Sequence, residues 1–316
     1  MNPRLQHFPI AFFSTVMGLA GLAMALNQAH RVLGLPAAAG SAVALVAGAV
    51  FIVLAGFYLA KLVRFRQAVV ADLNHPVRMS FSATISVSLI LLSILALPQL
   101  PQLSAGLWLL GALLHLTITL YVLTIWVHQP HFEIHHINPA WFIPVVGNIL
   151  VPIAGVQHAG LEASWFFFSI GLLFWLVLFT IIVYRMIFHH PLPDRLLPTL
   201  FILIAPPAAG FLAYLRLTGD LDGFARVLYY SALFLTLWLL IQAPRFLRLP
   251  FYLSWWAYSF PLAAMTVATL SMAELSGTGW LRWLSYLLLG LLIGLVSWLA
   301  ARTVLAVRRG EICVPE

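Results

Sequence analysis

Acidic side chains are the scarcest chemistry in this sequence. Nine Asp and Glu stand among 316 residues, and all charged residues together make up only 8% of the chain. A soluble domain carries roughly a quarter charged residues, so too few water-seeking side chains are present here to cover a soluble surface. Cysteine is almost missing as well. Cys313 is the single one, which excludes an intramolecular disulfide framework and any cysteine-built metal cluster. No glycine-rich phosphate loop occurs, so ATP-driven pumping by this chain is not expected. Paired acids or an activated nucleophile at one membrane face are missing too; the chain reads as no enzyme and as needing no cofactor.

What is present is apolar. Hydrophobic residues make up 63% of the chain, and the mean hydropathy is +1.01. The fold class that follows is an all-α integral membrane protein, because a helix satisfies its own backbone groups in lipid and roughly 20 apolar residues cross the hydrocarbon core. Ten such runs can be read: 9–29, 36–63, 79–97, 103–127, 139–157, 163–186, 196–217, 224–243, 250–274 and 280–307. The breaks are short and rich in Pro, Gly and Asp, so residues 1–316 are expected to form a single transmembrane domain. The first run follows Arg4 and contains Ala23-Met24-Ala25, as a signal peptide would. It is longer than a usual signal core and is read as a retained first helix.

An even number of spans puts both termini on one side. Of 16 Lys and Arg, only Arg31, Arg216, Arg226 and Arg282 fall on the opposite side, so the positive-inside rule predicts cytoplasmic termini. The formal charge of +7 is spread through short loops. That pattern suits anionic lipid headgroups or anions in transit better than nucleic acid.

Proline marks an internal repeat. Pro9, Pro76, Pro139, Pro198 and Pro250 stand at the start of every odd-numbered run, one helical hairpin apart, and Pro144, Pro152, Pro206, Pro207 and Pro261 lie inside odd runs. Apart from Pro36 at an entry, the even runs have none. A proline within a helix frees backbone carbonyls, which in lipid must be satisfied by protein or by a watery cavity. The odd runs also hold most small polar residues, among them Ser14, Ser80, Thr84, Asn148, Thr199 and Ser259. Five hairpin repeats are therefore expected, with the odd helices as an inner ring around a central pore and the even ones outside.

Four stretches then carry a family likeness: His7-Phe8-Pro9 with Phe13-Ser14-Thr15-Val16-Met17-Gly18; His75-Pro76-Val77-Arg78-Met79-Ser80-Phe81; Asn138-Pro139-Ala140-Trp141-Phe142-Ile143-Pro144 through Asn148; and Trp255-Trp256-Ala257-Tyr258-Ser259-Phe260-Pro261. The chain resembles the tellurite-resistance/dicarboxylate transporter family, which includes bacterial TehA-like proteins, plant slow-type anion channels, and fungal malate and sulfite carriers. The resemblance implies ten helices in a quasi-five-fold ring, one pore per protomer of a homotrimer, small inorganic or organic anions as the cargo, and a bacterial inner (plasma) membrane location. It also implies a gate at Phe260 beside Pro261. With the odd helices turned inward, the lining and vestibule fall to Ser14, Gly18, Arg78, Phe81, Thr84, Asn148 and Pro206, with Ser14 as the helix-one position facing the ring. Phe260 could otherwise be an ordinary packing aromatic.

Every acid is expected in a loop, a tail or a terminal turn: Asp72, Glu133, Glu162, Asp194, Asp220, Asp222, Glu274, Glu311 and Glu316. Without an acid at mid-membrane a passive gated anion channel is the better reading. The alternative is an ion-coupled exporter or carrier of dicarboxylate, sulfite or tellurite-related oxyanions. His115 reads either as a protonatable sensor or as a neutral histidine bonded between helices, and its outer helix favours the second. Arg78 could gather anions or snorkel to lipid phosphates. The histidine-rich segment 128–136 lacks an established ligand motif and reads as an interfacial loop, with no metal site expected. Gly290 and Gly294 form a small-residue pattern suited to helix contacts within or between protomers. Trp126, Trp141, Trp255, Trp256, Trp280 and Trp283 are expected as interfacial anchors.

Overall fold

The structure is a computed structural model and describes residues 3–129 and 132–314. Pro130 and His131 of the histidine-rich segment, and the terminal acid Glu316, lie outside the described residues. Among those described there is no strand.

The principal helices are α1 (Ile10–Leu33), α2 (Ala37–Arg64), α3 (Arg78–Ala96), α4 (Pro101–His128), α5 (Pro139–Leu150), α6 (Pro152–Phe188), α7 (Leu197–Thr218), α8 (Gly223–Ile241), α9 (Ser259–Ser276) and α10 (Gly279–Arg308). A 3-10 stretch, Leu253–Tyr258, leads into α9. Eight of these helices, all but α5 and α9, are long and apolar enough to cross a membrane. The break between α5 and α6 falls where the sequence reading leaves it, between residues 157 and 163. Gly155 N–H bonds to Val151 O at 3.0 Å, so the helix continues past Pro152, and the real break is at Gly160 with φ 78° and ψ −175°. Only glycine adopts that backbone at little cost. Residues 152–159 thus extend α5, and 161–188 form a separate helix.

Burial separates the helices into two sets. In their most apolar stretches α1, α3 and α7 are 72%, 78% and 78% buried, whereas α2, α4, α6, α8 and α10 lie between 17% and 39%. α9 belongs with the first set, since every residue from Tyr258 to Leu270 is buried. The second set displays Leu45, Ile52, Leu113, Leu173, Phe234 and Leu287 outward. Apolar faces of that extent are stable against hydrocarbon and not against water.

The buried helices share a second trait. They begin with, or contain, 3-10 stretches: Ile10–Phe12, Arg78–Ala83, Pro139–Trp141 with Gly147–Leu150, Leu197–Ile204 and Leu253–Tyr258. The tighter 3-10 turn changes which carbonyls are free, and side chains three residues on take them up. Ser14 donates to Ala11 O (2.5 Å), Thr84 to Phe81 O (2.6 Å), Asn148 to Val145 O (2.7 Å), Thr199 to Leu196 O (2.6 Å) and Ser259 to Trp256 O (2.6 Å). Where the helix is regular, hydroxyls bond four residues back instead, as Thr119, Thr180, Thr236 and Ser285 do. These five polar residues of the odd helices therefore first satisfy their own backbone, whereas the buried Ser80 hydroxyl has no partner among the described residues.

The tryptophans split. Trp280 and Trp283 are exposed, as anchors should be, but Trp141, Trp255 and Trp256 are buried. Trp255 and Trp256 donate to Pro250 O and Thr303 Oγ1, so they pack within the bundle rather than at a lipid boundary.

Candidate functional site

Two small cavities meet at one side chain. The larger, about 40 Å³, is lined by Ser14 and Met17 of α1, Phe81 and Thr84 of α3, Ile143 of α5, Ile202 and Ala205 of α7, and Ser254, Trp256, Ala257, Phe260 and Pro261 at the start of α9. The smaller, about 10 Å³, is lined by Gly21 and Met24 of α1, Leu150 and Ile153 of the α5 line, Ala209 and Leu212 of α7, and Phe260, Ala263, Ala264 and Val267 of α9. Every one of these residues belongs to an odd-numbered helix or its lead-in. The larger cavity uses their N-terminal parts and the smaller their later turns, so Phe260 divides the two levels.

The chemistry differs across that division. On the smaller side all lining residue types are apolar, and the volume is at the limit for one water, roughly 10–15 Å³. The larger side adds the hydroxyls of Ser14, Thr84 and Ser254. Each donates its proton to a backbone carbonyl: Ala11 O, Phe81 O and Arg195 O respectively.

Of the residues expected at the pore, Ser14, Phe81, Thr84, Phe260 and Pro261 come together on the larger cavity. Gly18, Arg78, Asn148 and Pro206 line neither cavity. Gly18 is a packing position: a Cβ there would stand 2.2 Å from Ser259 Oγ and 2.8 Å from Trp256. Asn148 turns outward and donates to Thr119 Oγ1 of α4 at 2.8 Å. Pro206 is buried between Ala205 and Ala209, which face the cavities while it does not. Arg78 binds Asp72 at 3.0 Å. Asp72 is also held by the buried Lys61 at 2.6 Å, and Lys61 reaches the Phe8 carbonyl at 2.9 Å. This cluster ties the approach to α1, the end of α2 and the start of α3.

Sequence reasoning missed Gly21, Ala263 and the Lys61–Asp72 pair. A Cβ on Gly21 would lie 2.7 Å from Ala263 Cβ and 3.5 Å from the Phe260 ring, so Gly21 is the α1 residue set against the ring, one level above Ser14. The signal was there: Gly18 and Gly21 are three apart and share a helix face. His115 is fully buried and its Nδ1 lies 2.8 Å from Ser86 Oγ, linking α4 to α3. Among the described residues no group of His, Cys, Asp or Glu is arranged to hold a metal ion.

Residues 7–304 match the family described as SLAC1, voltage-dependent anion channel. The chain belongs to that family. Relatives within it include the S-type anion channel SLAH3 of Arabidopsis thaliana, 28% identical over 278 residues, which cover 86% of this chain and 44% of that protein. An uncharacterized transporter of Methanocaldococcus jannaschii is 29% identical over 247 residues, covering 69% of this chain and 71% of its own. A tellurite resistance protein TehA homolog of Haemophilus influenzae is 25% identical over 260 residues, 81% and 79% of the two chains. This chain spans about half the length of the plant relatives it matches. The motifs that suggested the family from sequence lie inside the matched region, and the chain is a multi-pass membrane protein of that family.

Proposed function

We propose that the protein is a gated anion channel in which ten membrane-crossing helices form five hairpins, the odd helices enclose a central pore, and Phe260 occludes it. The observation that carries this reading is Phe260 as the wall shared by two cavities built only from odd helices. α5 with its continuation to residue 159 and the Leu253–Ser276 segment supply the two spans beyond the eight long ones. The contrast in burial between odd and even helices supports the inner and outer rings.

The mechanism follows from size and wetting. A narrow apolar throat excludes water, and an ion cannot pass where it must shed its hydration without replacement. Phe260 imposes that throat, and Pro261 beside it removes a backbone donor where α9 changes from 3-10 to α geometry. A shift of the ring joins the two cavities. On the larger side the hydroxyl protons are already given to carbonyls, so an anion finds no strong donor there that would trap it.

The orientation with both termini in the cytoplasm, the bacterial inner membrane as the home, and one continuous domain over the chain belong to the same reading. So does a homotrimer. A Cβ added at Gly290 or Gly294 would meet no atom of a neighbouring helix within 4 Å, which suits a helix face that packs on another protomer.

Anion flux into proteoliposomes, with and without a pH gradient, tests the function. The channel reading predicts passive flux indifferent to the gradient. Flux that requires the gradient would favour the coupled carrier, whose kinship is with the relatives named transporters.

A further inference from the structure

Among the described residues two Lys or Arg side chains are buried, and their surroundings differ. Lys61, 2% exposed, has the Asp72 carboxylate at 2.6 Å. Arg185, 3% exposed near the end of α6, has no carboxylate within 4.0 Å among the described residues. Its Nε and Nη2 donate to the Ile134 and His135 carbonyls at 3.3 and 3.4 Å, the long end of the hydrogen-bond range. Nη1 is buried with no acceptor.

Two more donors in the same corner are idle. The indoles of Trp126 and Trp141 stack at 4.4 Å between centroids, and both Nε1–H groups are buried without a partner. Trp141 meets Phe132 edge-on at 5.9 Å, and Phe132 packs on His136, next in chain to the carbonyl that Arg185 holds. The corner joins the ends of α4 and α6 to the start of α5. Its unsatisfied side-chain atoms are all donors, and one carries a permanent charge.

A guanidinium does not deprotonate in proteins, so burial cannot neutralise Arg185. A desolvated cation needs an anion or strong acceptors beside it. The nearest acid along the covering segment, Glu133, is exposed and turned to His135 Nδ1 at 3.2 Å. We propose that Arg185 is the core of an oxyanion site off the conduction axis, covered by the Glu133–His135 segment and flanked by Trp126 and Trp141, that takes a phosphate group. Arginine offers paired donors matched to phosphate oxygens, and the cation-rich helix ends are where anionic headgroups gather. A phospholipid headgroup and a free phosphate ion present the same oxygens. Because the covering segment is exposed, either reaches the guanidinium by displacing that segment alone. The site does not depend on the channel reading.

The test uses the full chain, purified in detergent and stripped of lipid, and follows its melting temperature. One arm adds phosphatidylglycerol in mixed micelles; the other adds inorganic phosphate against chloride of equal ionic strength. The site predicts a rise of about 3 °C or more in one arm, lost in Arg185→Gln, which keeps donors for the two carbonyls but no charge, and partly kept in Arg185→Lys. A rise with phosphatidylglycerol alone identifies a lipid, and one with phosphate identifies the free ion. No rise in either arm, or an equal rise in Arg185→Gln, overturns the proposal. Should Arg185→Gln fail to fold, a wild-type structure in phosphatidylglycerol nanodiscs decides. Phosphate density bonded to Nη1 supports the site, and density without it leaves Arg185 a clamp on the loop.

Discussion

α1 and α2 are consecutive, joined by a short turn and both apolar, yet they are built for different neighbours. A methyl on Gly18 of α1 would strike Ser259 and Trp256, while one on Gly48 or Gly56 of α2 would meet no neighbouring side chain within 4 Å. α1 spends its small residues on close approach to α9, and α2 spends its large ones on an outward face, with Leu45, Ile52 and Val63 exposed. Apolarity thus says that a helix belongs in a membrane. Small residues, hydroxyls and prolines say whether it faces protein or lipid.

The largest effect is expected where an outer helix is tied inward by charge. Asp72→Ala leaves Lys61 buried without its acid and frees Arg78, and removing one partner of a buried pair costs about 3–5 kcal/mol. Thermal melting of the purified variant should show a drop of many degrees. An unchanged melting temperature would mean that the α2–α3 tie is ornamental. Next in size is a matched pair of glycine substitutions. Gly18→Ala should lose about 1–3 kcal/mol through overpacking, whereas Gly48→Ala should be neutral or gain up to about 1 kcal/mol from helix propensity. Equal responses from the two would break the distinction between buried and exposed helices.

Much of this arrangement was legible in the sequence because its causes are local. Proline positions marked the irregular helices, and the Trp-Trp-Ala-Tyr-Ser-Phe-Pro stretch pointed to Phe260 before any coordinates. What stayed hidden depends on which way a side chain turns. Asn148 and Gly18 lie on buried helices but meet α4 and α9 rather than a cavity, since a buried helix has neighbours on more than one face. Lys61 counted only among the cations of the cytoplasmic side, and Asp72 as a loop acid; only the fold of the short helix Arg66–Asn74 brings them together. The Gly160 break was legible too, since it falls in the gap read between residues 157 and 163.

A smaller effect concerns the turn between α7 and α8. The Asp222 carboxylate accepts the Ala225 N–H at 2.9 Å and the Tyr214 hydroxyl at 2.6 Å. These bonds, the backbone one first, hold it below the ordinary carboxylate range. A lowered folded value means that its stabilisation is complete above about pH 4 and fades as pH falls through the lower folded value. Asp222→Ala should melt slightly earlier at neutral pH and lose that part of the acid sensitivity. A variant with the wild-type acid limb would remove Asp222 from the account of this turn.

The central claim, that Phe260 divides one conduit, is tested most directly by single-channel or macroscopic anion current in planar bilayers for the wild type and Phe260→Ala. Taking away the ring should merge the cavities of about 40 and 10 Å³ and raise conductance at least about tenfold, the change that follows from a barrier lowered by about 1.4 kcal/mol. A folded Phe260→Ala protein with wild-type current would contradict the gate and return Phe260 to the packing aromatics.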